Sequence, residues 1–580
     1  MTDTTDTYTG ADLFVDALET YGVSHVFGNP GTTELPIMEA LGGSDLEYVL
    51  GLREDIAVGA AAGYAQTRRY HGHHDPEVLP VGVVNLHVTP GVAHGLGNLY
   101  DASMAGAPIV LTAGNHSTDF RHEEPILSGD LEAVTEQFCK SSAEVLDVAA
   151  LPTMLRRAFR VALTPPTGPV FLSLPLDVTM ASTDARPERL GSIPATGRGD
   201  PAEIERAADL VSEAEEPVLV VGDGVARSGS GAIEAATDLA EVAGLRVHGE
   251  ILACEVNFPT AHDQWVSYLP TREDLVASLL DTDLVVFVGC STNTTLTRHE
   301  DPLVGPETTR VHIGADAREI GKNQVADAAV LGDPGSIMTA IADRVESRLD
   351  SEIRDRRAEG ARAMKTAVAE RTAASDDGDS GDGGDSDGSD GSEADGDPRA
   401  SKAQFVDAIA AAAPEGLVVD EGVTTKYAAL TRWDLEPETY ISNKGGGLGY
   451  GLPAAVGAAL SRREAGVDQP TIALIGDGSY LYYPHTLYTA ARYGVDLTVA
   501  IPDNRNYRIL KDNSLQLFGG EEEDYDFVGM DFDPPVDIPT NAESHGATGR
   551  LVENPEDIEP ALEDAIETDG PVVLDVLVHD

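Results

Sequence analysis

Short apolar runs alternate with longer stretches of helical spacing along most of the chain. In the first third, residues 12–21 have the apolar spacing of a helix, whereas 81–86 and 108–113 are short apolar runs bounded by turn residues. Such runs are typical of strands buried on both faces of a parallel sheet. The pattern predicts an α/β unit over residues 8–185, closed by the apolar stretch 169–178.

The same alternation of strand-like runs and helical segments recurs twice further along the chain. The strand-like runs are 217–224, 245–252, 283–289 and 309–316 in the second unit and 417–422, 471–480, 497–504 and 571–578 in the third. Alternation of this kind is typical of doubly wound parallel sheets. The sequence therefore predicts an α/β protein of three tandem doubly wound domains, at residues 8–185, 200–349 and 401–580. The length of 580 residues agrees with several domains, because a single core stops growing at about 250–300 residues.

An acidic, Gly- and Ser-rich stretch separates the second unit from the third. Between Ser375 and Pro398 there are ten acidic residues, no basic ones and no large apolar ones. Such a segment buries too little apolar surface to offset the entropy lost on ordering. Residues 372–398 are predicted to be a disordered linker.

The charge of the chain is strongly negative: 99 Asp and Glu stand against 39 Lys and Arg, a net charge of −60. Such a field repels nucleic acid and anionic membranes, so neither is an expected partner. The carboxylates are spread along the chain, which favours a halophilic cytosol over an acidic interaction tail, because salt screens self-repulsion. With neither a signal-peptide pattern nor a long apolar run, the sequence predicts a soluble, cytoplasmic protein.

The strongest chemical signal lies in the third unit, where an apolar strand ends in Gly476-Asp477-Gly478-Ser479. Asn504 ends another apolar strand twenty-seven residues after Asp477. The carboxyl ends of adjacent parallel strands lie side by side, and Mg²⁺ prefers oxygen ligands that it shares with phosphate groups. The spacing predicts a Mg²⁺–diphosphate site at Asp477 and Asn504, with the backbone carbonyl of Asn506 as a third ligand.

A second Gly-Asp-Gly occurs in the central unit at Gly222-Asp223-Gly224. Twenty-seven residues beyond Asp223 lies Glu250 rather than Asn, and we expect no strand-end ligand in register there. This copy predicts a strand-to-helix turn. It also leaves open a nucleotide-binding protein that uses this central unit alone, although the third glycine of the dinucleotide fingerprint is missing.

The pairing of Gly476–Ser479 with Asn504 resembles the thiamine-diphosphate signature. Val26–Pro36, Leu52–Gln66 and Val84–Gly91 closely resemble benzoylformate decarboxylases and, more distantly, the catalytic subunits of acetohydroxyacid synthases. The resemblance covers nearly the whole chain. It implies pyrimidine-binding, central and diphosphate-binding domains in this order, with thiamine diphosphate and Mg²⁺ as cofactors. By analogy with the synthases it also allows FAD in the central unit, for which no residue gives support.

The resemblance implies roles for individual residues. Glu54 corresponds to the glutamate that hydrogen-bonds the aminopyrimidine ring and promotes loss of the thiazolium C2 proton. His87 corresponds to an active-site histidine, and Thr32 to a serine near the substrate carboxylate. A second active-site histidine is implied in the central unit, with His299 as the nearest candidate. The implied cofactor contacts are Thr424, Gly446, Leu448, Gly478, Ser479, Asn504 and Tyr507.

Two departures from the family pattern bear on metal and substrate. The usual Asn-Asn-Gly after the second strand is Asp503-Asn504-Arg505 here. Ile509 stands where the aryl-specific decarboxylase has alanine, and the larger side chain favours an aliphatic 2-oxo acid.

The resemblance implies non-oxidative decarboxylation of a 2-oxo acid to an aldehyde and CO₂. The alternative is carboligation of two 2-oxo acids, as in acetolactate synthesis. A homodimer or homotetramer with active sites at the subunit interface is also implied.

Overall fold

A computed structural model describes residues 8–292, 294, 301–376 and 398–579. Three parallel six-stranded sheets, each flanked by helices, follow one another along the chain. This confirms the predicted α/β class with three doubly wound units. Among the described residues, no helix combines the length and the apolar character needed to cross a membrane.

The first sheet has the strand order β2-β1-β3-β4-β6-β5, with every pairing parallel. The apolar runs at 81–86 and 108–113 form its buried central strands β3 and β4. The strands are β1 (His25–Gly28), β2 (Glu47–Leu50), β3 (Gly82–His87), β4 (Ile109–Asn115), β5 (Ser142–Glu144) and β6 (Val170–Pro175). The helices are α1 (Gly10–Thr20), α2 (Leu35–Leu41), α3 (Glu54–His74), α4 (Val88–His94), α5 (Leu96–Met104), α6 (Leu131–Thr135), α7 (Leu151–Leu163) and α8 (Leu176–Met180).

The central sheet has the order β9-β8-β7-β10-β11-β12, which is the 3-2-1-4-5-6 order of dinucleotide-binding folds. The strands are β7 (Val218–Val221), β8 (Arg246–Gly249), β9 (Trp265–Tyr268), β10 (Leu284–Val288), β11 (Thr309–Gly314) and β12 (Ala328–Leu331). The helices are α9 (Pro201–Glu213), α10 (Asp223–Arg227), α11 (Ser230–Ala243), α12 (Glu273–Leu279), α13 (Pro334–Glu346) and α14 (Ser351–Asp376).

Helix α14 extends to Asp376, past residue 372, where the predicted disordered linker begins. Four of the eight residues 367–374 are Ala, the strongest helix former, and this favours continuation of the helix. The rest of the predicted linker, up to residue 397, lies outside the described residues.

The third sheet, β14-β13-β15-β16-β18-β17, repeats the order of the first when its strands are counted from the start of the unit. The strands are β13 (Leu417–Glu421), β14 (Tyr440–Ser442), β15 (Thr471–Ile475), β16 (Leu497–Asp503), β17 (Thr548–Val552) and β18 (Pro571–Leu577). The helices are α15 (Lys402–Ala412), α16 (Lys426–Arg432), α17 (Gly451–Glu464), α18 (Asp477–Tyr480), α19 (Thr486–Arg492), α20 (Arg508–Phe518), α21 (Ile538–Ser544) and α22 (Ile558–Ile566).

The first and third units are packed together through α3 and α17. A Cβ on Gly63 would lie 2.0 Å from the carbonyl oxygen of Ala454, and one on Gly457 would lie 1.8 Å from that of Ala60. Only glycine allows two helix backbones to approach this closely. The crossing fixes the start of α3, which bears Glu54, relative to the start of α17, which follows the glycine-rich segment 445–449.

Candidate active site

Glu54 is the first residue of α3, where the helix dipole favours a negative charge. Its Oε2 lies 3.1 Å from Nδ1 of His94. A Cβ on Gly91 would come within 3.0 Å of Glu54 Oε1 and 3.5 Å of His87 Cβ. Glu54 and His87 therefore flank Gly91, so the structure brings together two candidate residues that are 33 positions apart in the sequence.

His87 ends β3, and a buried carboxylate fixes its ring. Its Nδ1 lies 2.7 Å from Oε2 of Glu34, whose side chain is fully buried. Glu34 also accepts hydrogen bonds from Thr33 Oγ1 at 2.7 Å and from the Gly31 amide at 3.0 Å. A carboxylate acceptor at Nδ1 favours the proton there and leaves the Nε2 lone pair for another partner.

Glu34 is a functional candidate that the sequence reasoning missed. One indication was present in the sequence. Glu34 lies in the segment Val26–Pro36, which is part of the family resemblance, and it stands three positions after Gly31. What the sequence does not reveal is its complete burial against β4, where a Cβ on Gly114 would come 2.0 Å from Glu34 Oε1.

Thr32 begins the 3-10 turn Thr32–Glu34 and is exposed. It follows Gly31, where a Cβ would come 2.1 Å from the His87 ring. The hydroxyl of Thr32 is therefore accessible on the loop that covers this ring. His299 lies outside the described residues.

The third unit contributes a second group of side chains, centred on Asp477 at the carboxyl end of β15. Its Oδ1 accepts a hydrogen bond from the Gly478 amide at 2.8 Å, while Oδ2 is buried and has no hydrogen-bond partner among the described residues. Buried polar atoms are rarely left unsatisfied. Burial, followed by the neighbouring Asp503 carboxylate, raises the pKa of Asp477 to about 8.

The residues around Asp477 fit a hard cation bound through oxygen atoms. Asn504 directly follows β16, and Asn506 is buried two residues later. Within the described ranges, no group of three or more His, Cys, Asp or Glu side chains has the geometry of a metal site. One carboxylate, an amide oxygen and a main-chain carbonyl are oxygen donors of the kind that Mg²⁺ prefers.

Two further carboxyl groups, those of Asp503 and Asp575, lie close to Asp477 at this end of the sheet. Asp503 stands beside Asp477, and burial followed by Asp503 raises the pKa of Asp575 to about 7. Arg505 has a left-handed backbone with φ of 61°, a conformation that glycine adopts without strain. This explains why the family pattern has glycine at the position of Arg505.

Four further candidates of the third unit are Tyr507, Ser479, Thr424 and Ile509, of which Tyr507 packs against Gly478. A Cβ on Gly478 would come 2.6 Å from the Tyr507 ring, which packs edge-to-face on Phe532 with a centroid separation of 4.8 Å. Ser479 is buried, with Oγ 3.4 Å from the carbonyl oxygen of Glu421. Thr424 in the loop after β13 and Ile509 in the first turn of α20 are both half-buried.

Gly446 lies at an exposed position of the glycine-rich segment, with φ of 78° and open space where a Cβ would be. The side chain of Asn443 accepts a hydrogen bond from the Gly446 amide at 2.8 Å and donates one to the Gly447 carbonyl at 2.6 Å. Asp101 of α5 accepts a bond from the Gly447 amide at 3.2 Å. Leu448, the next residue, is half-buried.

Glu421 links the glycine-rich segment to α17 and provides a prediction on pH dependence. Its carboxyl group is bonded by the amides of Gly449 and Gly451, and burial raises its pKa from 4.5 to about 8. In this range the folded chain holds a proton that the unfolded chain releases, so the free energy of unfolding due to Glu421 falls as the pH rises from about 4.5 to about 8.

We expect Glu421→Gln to flatten this part of the pH dependence, because an amide does not titrate. Thermal unfolding of both proteins between pH 5 and 8, at constant salt, measures the effect. Parallel curves for the two proteins would contradict the expectation.

The second Gly-Asp-Gly forms the predicted turn between β7 and α10. Glu250, twenty-seven residues after Asp223, directly follows the neighbouring strand β8. Strand β8 pairs with β7 so that Gly249 lies opposite Val221, which brings Glu250 beside Asp223. The Asp223 amide donates to Glu250 Oε1 at 2.9 Å.

Three family models match the chain in order. They are the N-terminal TPP binding domain, the central domain and the C-terminal TPP binding domain of thiamine pyrophosphate enzymes, matched at residues 8–138, 204–341 and 420–576. The chain therefore belongs to the thiamine pyrophosphate enzyme family, and it is an enzyme that depends on this cofactor.

Relatives within the family include both kinds of enzyme that the sequence resembles. Benzoylformate decarboxylase of Pseudomonas aeruginosa is 29% identical over 97% of this chain and 97% of its own length. A probable acetolactate synthase large subunit of Methanocaldococcus jannaschii is 26% identical over 98% of this chain and 92% of its own.

Solved structures agree over the whole chain. A putative thiamin diphosphate-dependent enzyme from Mycobacterium smegmatis has a TM-score of 0.82 at 26% identity, covering 99% of this chain and 100% of its own. A thiamine diphosphate-dependent 4-hydroxybenzoylformate decarboxylase of Rhodococcus jostii has a TM-score of 0.81 at 27% identity, covering 98% and 99%. These likenesses confirm the predicted resemblance, and they fit either reaction.

Proposed function

We propose that this protein is a Mg²⁺-dependent, non-oxidative decarboxylase that converts a 2-oxo acid to an aldehyde and CO₂. The observation that carries the proposal is the His87–Glu34 pair, 2.7 Å apart and separated from Glu54 by Gly91. Decarboxylation must be followed by delivery of a proton to the product, and an imidazole held by a carboxylate is suited to this.

The chain's residues hold the cofactor at both ends in this proposal. Asp477, Asn504 and the main-chain carbonyl of Asn506 bind Mg²⁺. Glu54 and the Gly446 carbonyl would hydrogen-bond the aminopyrimidine, and Leu448 would support the bound cofactor. Bound thiamine diphosphate supplies the nucleophilic carbon and the electron sink. The diphosphate contacts are Thr424, Gly478, Ser479 and Tyr507.

The substrate is placed by the loop around Thr32. Its hydroxyl binds the substrate carboxylate, and His87 moves the proton, with His299 proposed as the second histidine. The half-buried Ile509 narrows the pocket and favours an aliphatic 2-oxo acid over benzoylformate.

Carboligation is the second candidate. The similarity to acetolactate synthases over 98% of this chain supports it.

Product analysis with pyruvate at high salt separates the two reactions. Acetaldehyde and CO₂ as products would support the proposal, whereas acetolactate would support carboligation. A parallel CO₂-release screen with branched 2-oxo acids and benzoylformate tests the preference for aliphatic substrates. If calorimetry detected no Mg²⁺-dependent binding of thiamine diphosphate, both assignments would fail.

We further propose that the enzyme is a homodimer or homotetramer with active sites at the subunit interface. Large apolar side chains next to the candidate residues are exposed, among them Leu35, which follows Glu34, and Leu510, which follows Ile509. Cover by a second copy of the chain would remove them from water. Analytical ultracentrifugation at high salt tests this, and a monomer at micromolar concentration would contradict it.

Glu34→Gln tests the proton-transfer role of the pair. An amide keeps the shape of Glu34 but removes the charge that stabilises a protonated His87, so we expect turnover to fall about 100-fold or more. Affinity for thiamine diphosphate should stay at the wild-type value. Glu438→Gln is a matched control, because Glu438 also bonds histidines, His73 and His74, away from this site. Equal turnover in Glu34→Gln and wild type would refute the role.

A further inference from the structure

The central unit has a crevice of the kind that binds dinucleotides in other folds. In the order 3-2-1-4-5-6 this crevice lies where the order reverses, at the carboxyl ends of β7 and β10. Here Gly222 and Gly224 pack on backbone: Cβ atoms on them would come 2.5 Å from Cys290 Cα and 2.7 Å from Gly289 Cα. Asp223 and Glu250 stand together at this edge of the sheet.

A side chain from the third unit fills this position. Lys444 Nζ lies 2.7 Å from Asp223 Oδ2 and 2.9 Å from Glu250 Oε1, and it donates to the Leu252 carbonyl at 3.3 Å. All three charged side chains are at most 1% exposed. The group that binds at this edge of the crevice is therefore a lysine side chain of the protein itself.

Backbone amides hold the two carboxylates in place beside the lysine through hydrogen bonds. Asp223 Oδ1 accepts bonds from the Cys254 and Glu255 amides at 2.9 and 3.2 Å. Glu250 Oε2 accepts bonds from the amides of residues 291 and 292 at 2.8 and 2.7 Å. Although burial alone would lower it, the two carboxylates raise the pKa of Lys444 well above its ordinary value, so the lysine is charged at neutral pH.

Lys444 immediately precedes the glycine-rich segment 445–449. The strand before it, β14, is joined to the central unit as well, because the Ser442 amide donates to the Cys254 carbonyl at 2.9 Å. On the other side, Asp101 of the first unit lies against the same segment, 2.1 Å from where a Cβ of Gly445 would be. Glycine has many accessible backbone conformations, so the position of Gly446 depends on these flanking anchors.

We propose that Lys444 is a positioning residue: by docking into the central unit's crevice on Asp223 and Glu250, it sets the glycine-rich segment in the conformation that binds the aminopyrimidine half of the cofactor. This rests on the proposed function, in which Gly446 and Leu448 meet that half. The central unit then acts on the active site through one side chain, in the place where related folds bind a nucleotide.

The test compares two ligands of the apoprotein, each titrated calorimetrically with Mg²⁺. Thiamine diphosphate engages both halves of the site, whereas inorganic pyrophosphate engages only the Asp477 half. For Lys444→Met we expect binding of thiamine diphosphate to weaken about tenfold or more, with pyrophosphate affinity unchanged. Arg69→Met is the matched control, because it removes another buried contact between units, from Arg69 Nη2 to Glu255 at 2.7 Å, and should leave both affinities unchanged.

A triple variant keeps the test decisive if Lys444→Met folds poorly. Lys444→Met leaves buried Glu250 without its ion-pair partner and Asp223 with only Arg227, whose Nη2 lies 3.8 Å from Asp223 Oδ2, and this destabilises the fold. Lys444→Met/Asp223→Asn/Glu250→Gln removes all three charges, so we expect its melting temperature to recover while thiamine diphosphate still binds weakly.

Three results would overturn the proposal. These are wild-type affinity for thiamine diphosphate in Lys444→Met, equal weakening of both ligands, and restored affinity in the triple variant. Wild-type protein that binds no thiamine diphosphate would instead refute the proposed function.

Discussion

Glu54→Gln is expected to bind thiamine diphosphate and Mg²⁺ at wild-type affinity and to lose nearly all turnover. The reason is that Glu54, the first residue of α3, with its Oε2 3.1 Å from Nδ1 of His94, is the carboxylate assigned to the aminopyrimidine. An amide still hydrogen-bonds a ring nitrogen, but it cannot stabilise the positive charge that develops there. We expect a fall in kcat of about 100-fold to 10,000-fold.

Steady-state kinetics with calorimetry on the same preparation measures this separation of binding from turnover. Glu47→Gln is a suitable control, since Glu47 lies on the edge strand β2 of the same unit and is largely exposed. Turnover of Glu54→Gln close to that of wild type would remove Glu54 from the mechanism.

Asp477→Asn is expected to abolish Mg²⁺-dependent binding of thiamine diphosphate, with affinity falling about 100-fold or more. The carboxylate ligand would be lost, so Mg²⁺ and the diphosphate that it holds would bind weakly. Calorimetric titration in the presence of Mg²⁺ measures the loss, and removal of Mg²⁺ with a chelator should reproduce it in the wild type.

Asp575→Asn is the matched control for this substitution. It removes a carboxylate from the same edge of the sheet, on β18, but not one assigned to the metal, so Mg²⁺-dependent binding should persist. If Asp477→Asn bound the cofactor as wild type does, the metal site would have to lie elsewhere.

The strands that could be predicted from the sequence are the buried ones. Strands such as β4 and β16 are buried throughout and mostly apolar because helices cover both faces of the sheet. Apart from β1, the strands that escaped prediction are the six edge strands β2, β5, β9, β12, β14 and β17. Edge strands are short and half-paired, and one such as β5, Ser-Ala-Glu, carries no apolar pattern.

In the candidate site, likewise, some residues could be predicted from local sequence patterns, whereas others depend on contacts between distant parts of the chain. Asp477 and Asn504 could be found because spacing along consecutive strands determines which side chains meet. Two other contacts could not be predicted, that of Glu34 with His87 and that of Lys444 with Asp223, because neither pair leaves a local pattern in the sequence. Lys444 and Asp223 are also in different units, and the sequence around Asp223 suggested an isolated turn.

The close crossing of α3 and α17 has a consequence for how the chain folds during synthesis. The surface of α3 around Gly63 is complete early, but its partner at Gly457 emerges from the ribosome about 390 residues later, roughly 20 to 80 s at ordinary elongation rates. For that time the nascent first unit exposes an apolar helix face with nothing to cover it. The N-terminal third is therefore expected to need chaperone protection until translation is nearly finished.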